Sequence, residues 1–211
     1  MIRDSIEIEI IKNANQPNIA DPSRSEIPFI NILNDFFSNF DFKQKKIMDL
    51  GPGHYDFFNL IDNTNKENLH AIDKDPAVIK LGKYRKYSVT EANLKNIHTK
   101  NNNKKFDLLF CKFSINAYWF YDDPLNHERY IDYLASMLNL NGSAWIAPWN
   151  GIPKTMDIKE NQKKIIDTIN KQICFFEKNK FKTLYPSPKE IKRYGLTGNI
   201  INNPIFIKNL F

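Results

Sequence analysis

The run Lys46-Ile47-Met48-Asp49-Leu50-Gly51-Pro52-Gly53-His54-Tyr55 constrains this chain more than any other segment. Apolar residues with one acid among them lead straight into a Gly-x-Gly turn. A second short apolar run, Leu69-His70-Ala71-Ile72, ends in Asp73. A buried strand that stops at paired glycines lets a ligand come against bare backbone, because glycine carries no side chain and accepts positive φ. A carboxylate at the tip of the next parallel strand can hold both hydroxyls of a ribose. Together the two segments predict a nucleoside-binding crevice at the carboxyl edge of a parallel sheet.

Two cofactor classes compete for such a crevice. A dinucleotide wants Gly-x-Gly-x-x-Gly, whose third glycine packs the helix on the strand. Here that position is Asp56, behind Tyr55 and ahead of Phe57 and Phe58. An acid at the helix start also opposes a pyrophosphate, which needs the positive end of that helix. S-adenosylmethionine carries no phosphate and meets no such conflict.

Periodicity organises the rest. A chain of 211 residues suits one domain with a three-layer core. Isoleucine alternates with glutamate from Ser5 to Ile11, which predicts a short strand. Residues 13–23 are polar with two prolines and read as a loop. Apolar residues recur at helical spacing from Ile30 to Phe40. Lys46 to Leu50 is predicted as a strand, Tyr55 to Ile61 as a helix, and Leu69 to Asp73 as a strand. A helix follows from Pro76 to Lys83, then strands at Tyr84 to Val89 and Phe106 to Phe113. Glu128 to Leu140 reads as a helix ended by Asn141-Gly142, Ser143 to Pro148 as a strand, and Asp157 to Lys178 as a long helix. Phe181 to Tyr185 and Ile205 to Leu210 close the chain as two strands around a polar loop. Strands alternating with helices mean a parallel sheet covered on both faces, an α/β fold.

Composition narrows the function classes. No run of apolar residues is long enough for a transmembrane helix, and the first residues lack the apolar core of a signal peptide. Cys111 and Cys174 fall in apolar segments and read as buried thiols of a reducing, cytoplasmic compartment. The net charge of +6 is mostly lysine, with arginine only at positions 3, 24, 85, 129 and 193. The basic runs at Lys43 to Lys46 and Lys104-Lys105 sit in expected loops. Such a surface argues against nucleic acid as the partner, where arginine and aromatic stripes are stronger signs.

In wording and spacing, Met48-Asp49-Leu50-Gly51-Pro52-Gly53 resembles the first motif of the class I S-adenosylmethionine-dependent methyltransferases. Phe106 to Cys111 resembles that family's fourth-strand motif, and Asn141-Gly142-Ser143 its late glycine motif. The resemblance covers Lys46 to Leu210. It implies a three-layer, Rossmann-like, mostly parallel seven-stranded sheet with a terminal antiparallel strand, in a single domain. Residues 45–211 would be the core, and residues 1–44 an N-terminal helix and lid. It also implies S-adenosylmethionine as cofactor. Gly51 and Gly53 would admit the ligand to the backbone, and Asp49 would order the loop or meet the methionine amino group. Tyr55 stands in the same loop, where the family often has a further glycine. Asp73 would bind the ribose hydroxyls, with Lys74 beside it. Val89-Thr90-Glu91-Ala92-Asn93-Leu94 resembles the adenine-binding segment and nominates Glu91 and Ala92. Cys111 and Lys112 fall where the family uses backbone near the methionine amino group.

Methyl transfer from a sulfonium is an in-line displacement, so the protein positions the acceptor and removes its proton where needed. The segment from Asn116 to Arg129 is aromatic and then polar, and follows the fourth strand. It offers His127 as candidate base, since imidazole titrates near neutral pH, with Tyr121 and Asp122 next and His54 third. The spacing of Asp122, Asp123 and His127 fits no metal signature. The acceptor pocket is expected between Tyr118 to His127, Pro148 to Gly151 and Asp21 to Ser25. The leading expectation is a small-molecule acceptor such as a sugar, a cell-surface precursor or a secondary metabolite. The alternatives are an RNA or protein methyltransferase using the lysine surface, or a non-catalytic adenosylmethionine-binding module acting through a partner.

Overall fold

The computed structural model describes residues 4–14, 25–61, 65–99, 104–120, 123–149, 158–196 and 204–210. These residues form one sheet from β1 (Ile47–Leu50), β2 (Leu69–Asp73), β3 (Ser88–Glu91), β4 (Phe106–Lys112), β5 (Leu138–Ala147), β6 (Lys182–Leu184) and β7 (Ile205–Lys208). The order is β3-β2-β1-β4-β5-β7-β6. β1 to β5 pair in parallel, and β7 runs antiparallel to both of its neighbours. This is the three-layer, mostly parallel architecture expected from the resemblance. The direction of winding reverses at β1, which lies between β2 and β4, and that reversal opens a crevice beyond the strand tips.

Helices α1 (Ser5–Lys12), α2 (Ile27–Phe36), α3 (Asp56–Leu60), α4 (Pro76–Tyr84) and α7 (Pro188–Arg193) supply one apolar layer. Helices α5 (Pro124–Ser136) and α6 (Ile158–Lys178) supply the other. Strand alternation divides the side chains between them. Phe110 of β4 faces the first layer, stacked on Phe57 at 3.9 Å and on Trp145 at 5.1 Å. Its neighbours Leu109 and Cys111 face the second, where Phe176 of α6 stacks on Phe206 at 3.8 Å.

Several local expectations are corrected. Ser5 to Lys12 is helical, not a strand. The alternation of isoleucine is real, but Glu7, Ile10 and Ile11 share one helical face and are buried, while Ile6 is exposed. The Asp4 side chain accepts from the Glu7 N–H and caps this helix. Ile10 and Ile11 lie in the core, so α1 is packed against the domain. The part of the expected lid at Asp21 to Arg24 lies outside the described residues. The third strand begins later than expected, at Ser88. β5 starts at Leu138 and absorbs Asn141-Gly142, because a register shift on β4 between Phe106 and Leu108 accommodates the extra residues. The expected polar loop between the last two strands contains α7, started by a capping box between Ser187 and Glu190. Cys174 is exposed on α6, with its thiol directed to the Asn170 carbonyl, whereas Cys111 is buried.

Candidate functional site

The crevice is built where β1 and β2 end. Gly51 and Gly53 have φ of +78° and +56°, and Tyr55 between turn and helix has +61°. The chain therefore passes through left-handed backbone three times in five residues, a path that L side chains resist. The Gly51 N–H donates to the Ile72 carbonyl at 2.9 Å, tying the turn to β2. The Ser114 hydroxyl donates to the Gly51 carbonyl at 2.9 Å. A Cβ built on Gly51 would fall 2.1 Å from that hydroxyl oxygen, so only glycine fits there.

Tyr55 answers the expectation of a further glycine in an unexpected way. Its ring is fully buried, and its hydroxyl donates to the Val78 carbonyl of α4 at 3.0 Å. The same hydroxyl occupies the space above Gly82, where a Cβ would lie 2.1 Å away. The anchor under α4 offsets the cost of positive φ, and it takes the side chain into the core, away from the crevice.

Asp73, at the tip of β2, is buried. Its Oδ1 accepts from the N–H groups of Lys74 and Asp75 at 2.7 and 2.9 Å. One carboxylate oxygen thus fixes the turn into α4, while Asp75 caps that helix by accepting from the Ala77 N–H at 2.8 Å. Glu91 pairs in register with Asp73 at the tip of β3 and is exposed. The Ala92 N–H donates to the Asp73 carbonyl at 2.9 Å, which brings the expected adenine segment beside the expected ribose acid. Lys74 is exposed and contributes its backbone to this turn.

Asp49 lies in the middle of β1, flanked in register by Ala71 and Phe110, and is buried. Burial pushes its carboxyl well above the usual range, and the nearby Asp73 and Asp56 push it further. Burial likewise raises Asp73. A crevice floored by such buried carboxyls, which a bound cation would ionise, suits a cationic ligand. These residues fit S-adenosylmethionine, with its sulfonium and ammonium groups: Asp73 would hold the ribose, Gly51 and Gly53 would admit close backbone approach, and Asp49 would face the positive end.

The remaining expected residues divide. Cys111 is buried on the α5–α6 face, and burial pushes its thiol up to about 12, so it is core. Lys112, at the tip of β4 on the opposite face, is buried with Nζ 4.9 Å from the ring centres of both Phe29 and Phe113. His127 is buried between α5 and α6, with its ring 5.1 Å from that of Phe175, and burial lowers its pKa. Tyr121 and Asp122 lie outside the described residues. The His54 side chain is buried. Trp149, expected at the acceptor, is buried among Tyr130, Phe176 and Phe206, with its indole N–H donated to Gln172.

Two residues of the site escaped the sequence. Ser114 is an ordinary loop serine until the close approach to Gly51 is seen. Arg85, just past α4, donates to the His54 carbonyl inside the glycine turn at 2.8 Å. Its position, far along the chain from that turn, gives no local signal.

No family model matches the sequence, and no curated protein matches it. Solved structures do match. A TehB-like SAM-dependent methyltransferase from Corynebacterium glutamicum aligns over 90% of this chain and 91% of its own, with a TM-score of 0.53 at 13% identity. A SAM-dependent methyltransferase from Methanosarcina mazei aligns over 83% and 95%, with a TM-score of 0.53 at 12% identity. The N-methyltransferase NodS from Bradyrhizobium japonicum aligns over 85% and 92%, with a TM-score of 0.50 at 13% identity. The fold is that of the class I, Rossmann-like methyltransferases. Identities this low speak for the fold alone.

Proposed function

We propose that this chain is an S-adenosylmethionine-dependent methyltransferase that acts on a small organic acceptor. The observation that carries the reading is the pairing of the positive-φ turn at Gly51 with the buried acids Asp49 and Asp73 on adjacent strands. Backbone exposure, a ribose-binding acid and a floor that favours cations together suit a nucleoside sulfonium. They suit a dinucleotide poorly, because Asp56 occupies the start of α3 and would meet its phosphates.

The acceptor side is read from the tip of β4. Phe113, half exposed and at a φ of +67°, stands next to Ser114, which holds Gly51. Lys112 and Phe29 lie buried beside it, toward the start of α2. An aromatic rim beside the glycine turn favours a small acceptor with an apolar body, held by packing near the methyl group. The burial of His127 against Phe175 favours a packing role for that ring, so the reading assigns it no proton transfer.

The test is methyl transfer from labelled S-adenosylmethionine to a panel of small hydroxy, amino and thiol compounds, with RNA and protein extracts alongside. Transfer to a member of the small-molecule panel supports the reading. Transfer confined to RNA or protein overturns the acceptor class.

A further inference from the structure

The turn from Gly51 to Tyr55 is held in its left-handed path by three side chains. Ser114 holds the Gly51 carbonyl, Tyr55 anchors itself on the Val78 carbonyl, and Arg85 holds the His54 carbonyl. Backbone in this region persists only where its surroundings over-determine it. The first two holds come from residues fixed by the sheet and α4. The third depends on what orients a guanidinium.

That orientation comes from the N-terminal helix. Nε and Nη2 of Arg85 donate to the two carboxylate oxygens of Glu7 in α1, at 2.5 and 2.9 Å. Nη1 donates to the His54 carbonyl at 2.8 Å and to Asn59 Oδ1 at 3.0 Å. Glu7 and Arg85 are both buried. The planar fork matches a carboxylate at two points while its remaining edge faces the turn, a geometry that lysine cannot reproduce. Removing one partner of a buried pair leaves the other charge uncompensated.

We propose that the Glu7–Arg85 pair is a positioning device for the cofactor turn, so that docking of α1 sets the affinity of the cofactor site. The proposal rests on the adenosylmethionine reading above. Without Glu7 the guanidinium loses its fixed direction, the His54 carbonyl loses its buried donor, and the turn relaxes from the path that admits the ligand. The coupling is reciprocal: a ligand that needs this turn tightens α1, although α1 does not line the crevice strands.

The experiment titrates S-adenosylhomocysteine into the full chain by calorimetry, for the native protein and for Glu7→Gln, Arg85→Lys and Arg85→Met. Near-UV circular dichroism checks the fold of each. Amide exchange across residues 5–12 is followed with and without the ligand. Affinity is expected to fall roughly tenfold in Glu7→Gln and Arg85→Met, and less in Arg85→Lys. The ligand is expected to slow exchange in α1 of the native protein and to lose that effect in the variants, which a purely structural ion pair would not produce. Folded variants that bind within about twofold of the native protein overturn the proposal, as does native α1 exchange indifferent to the ligand. Should Arg85→Met fail to fold, the near-isosteric Glu7→Gln carries the test. A native protein that does not bind S-adenosylhomocysteine sinks the cofactor reading and this proposal with it. Native binding with indifferent variants sinks only the coupling.

Discussion

The Ser114 hydroxyl occupies the volume that a side chain on Gly51 would need, and it donates to the Gly51 carbonyl at 2.9 Å. The two residues follow β1 and β4, which are neighbours in the sheet. Their contact joins the glycine turn after β1 to the loop after β4.

Gly51→Ala is expected to destabilise the protein by about 1–3 kcal/mol, because positive φ and the Ser114 contact act together. Urea unfolding measures this directly. Adding Ser114→Gly, which removes both Ser114 atoms that the new Cβ would meet, should recover only the steric part, since the φ of +78° remains. Full recovery would show that backbone strain is unimportant there.

Asp73→Ala should weaken S-adenosylhomocysteine binding by roughly ten- to a hundredfold, through loss of charge-assisted bonds to the ribose. It also removes the acceptor for the Lys74 and Asp75 N–H groups. Asp73→Asn keeps an oxygen for that turn and should lose less. Calorimetry on both variants separates the turn from the ribose contact, and equal, unchanged affinities would remove Asp73 from the site.

The elements that bear the site were legible because they obey local rules. β1 and β2 are short apolar runs ended by glycine and by acid, β4 is a longer apolar run behind a lysine pair, and Pro76 behind Asp75 marks the start of α4. The glycine turn announced its own backbone. α1 was misread because a short alternating run satisfies period 2 and, through Glu7, Ile10 and Ile11, a helical face equally well; docking decided between them. α7 was hidden by its polar sequence, though Ser187 and Glu190 carry a capping box. Tyr55 was placed in the crevice by its neighbours, but its direction depends on the gap above Gly82, which no local pattern reveals. Ser114 and Arg85 act on the turn from distant segments, and such contacts exist only once the chain has folded.

Acid should destabilise the protein through its histidines. Burial, with Lys104 and Lys46 nearby, lowers His70 to about 4 from its ordinary 6.5. His127 is shifted the same way by burial. The unfolded chain binds these protons first, so their contribution is fully present above pH 6.5 and is lost as pH falls toward 4. The raised carboxyls of Asp49 and Asp73 act in the opposite sense. His70→Phe, which keeps the aromatic contact with Phe106, should flatten the fall in urea stability across this range. An unaltered slope would contradict the assignment.

Binding of S-adenosylmethionine should release protons. The buried Asp49 favours its neutral form in the free protein, so its charge costs stability as pH rises above 3.8 and through its raised value. A bound cation favours the ionised form, lowers that pKa, and expels the proton. Affinity should therefore rise with pH across that window. Calorimetry in buffers of different ionisation enthalpy detects the release, and Asp49→Asn should abolish it. Binding heats independent of buffer would show that Asp49 does not meet the cation.

The most direct measurement is a calorimetric titration of the full chain with S-adenosylhomocysteine and, separately, with NAD. The crevice predicts saturable binding of the first at one site, and none of the second, because Asp56 opposes its phosphates. NAD binding without a response to S-adenosylhomocysteine would contradict the account.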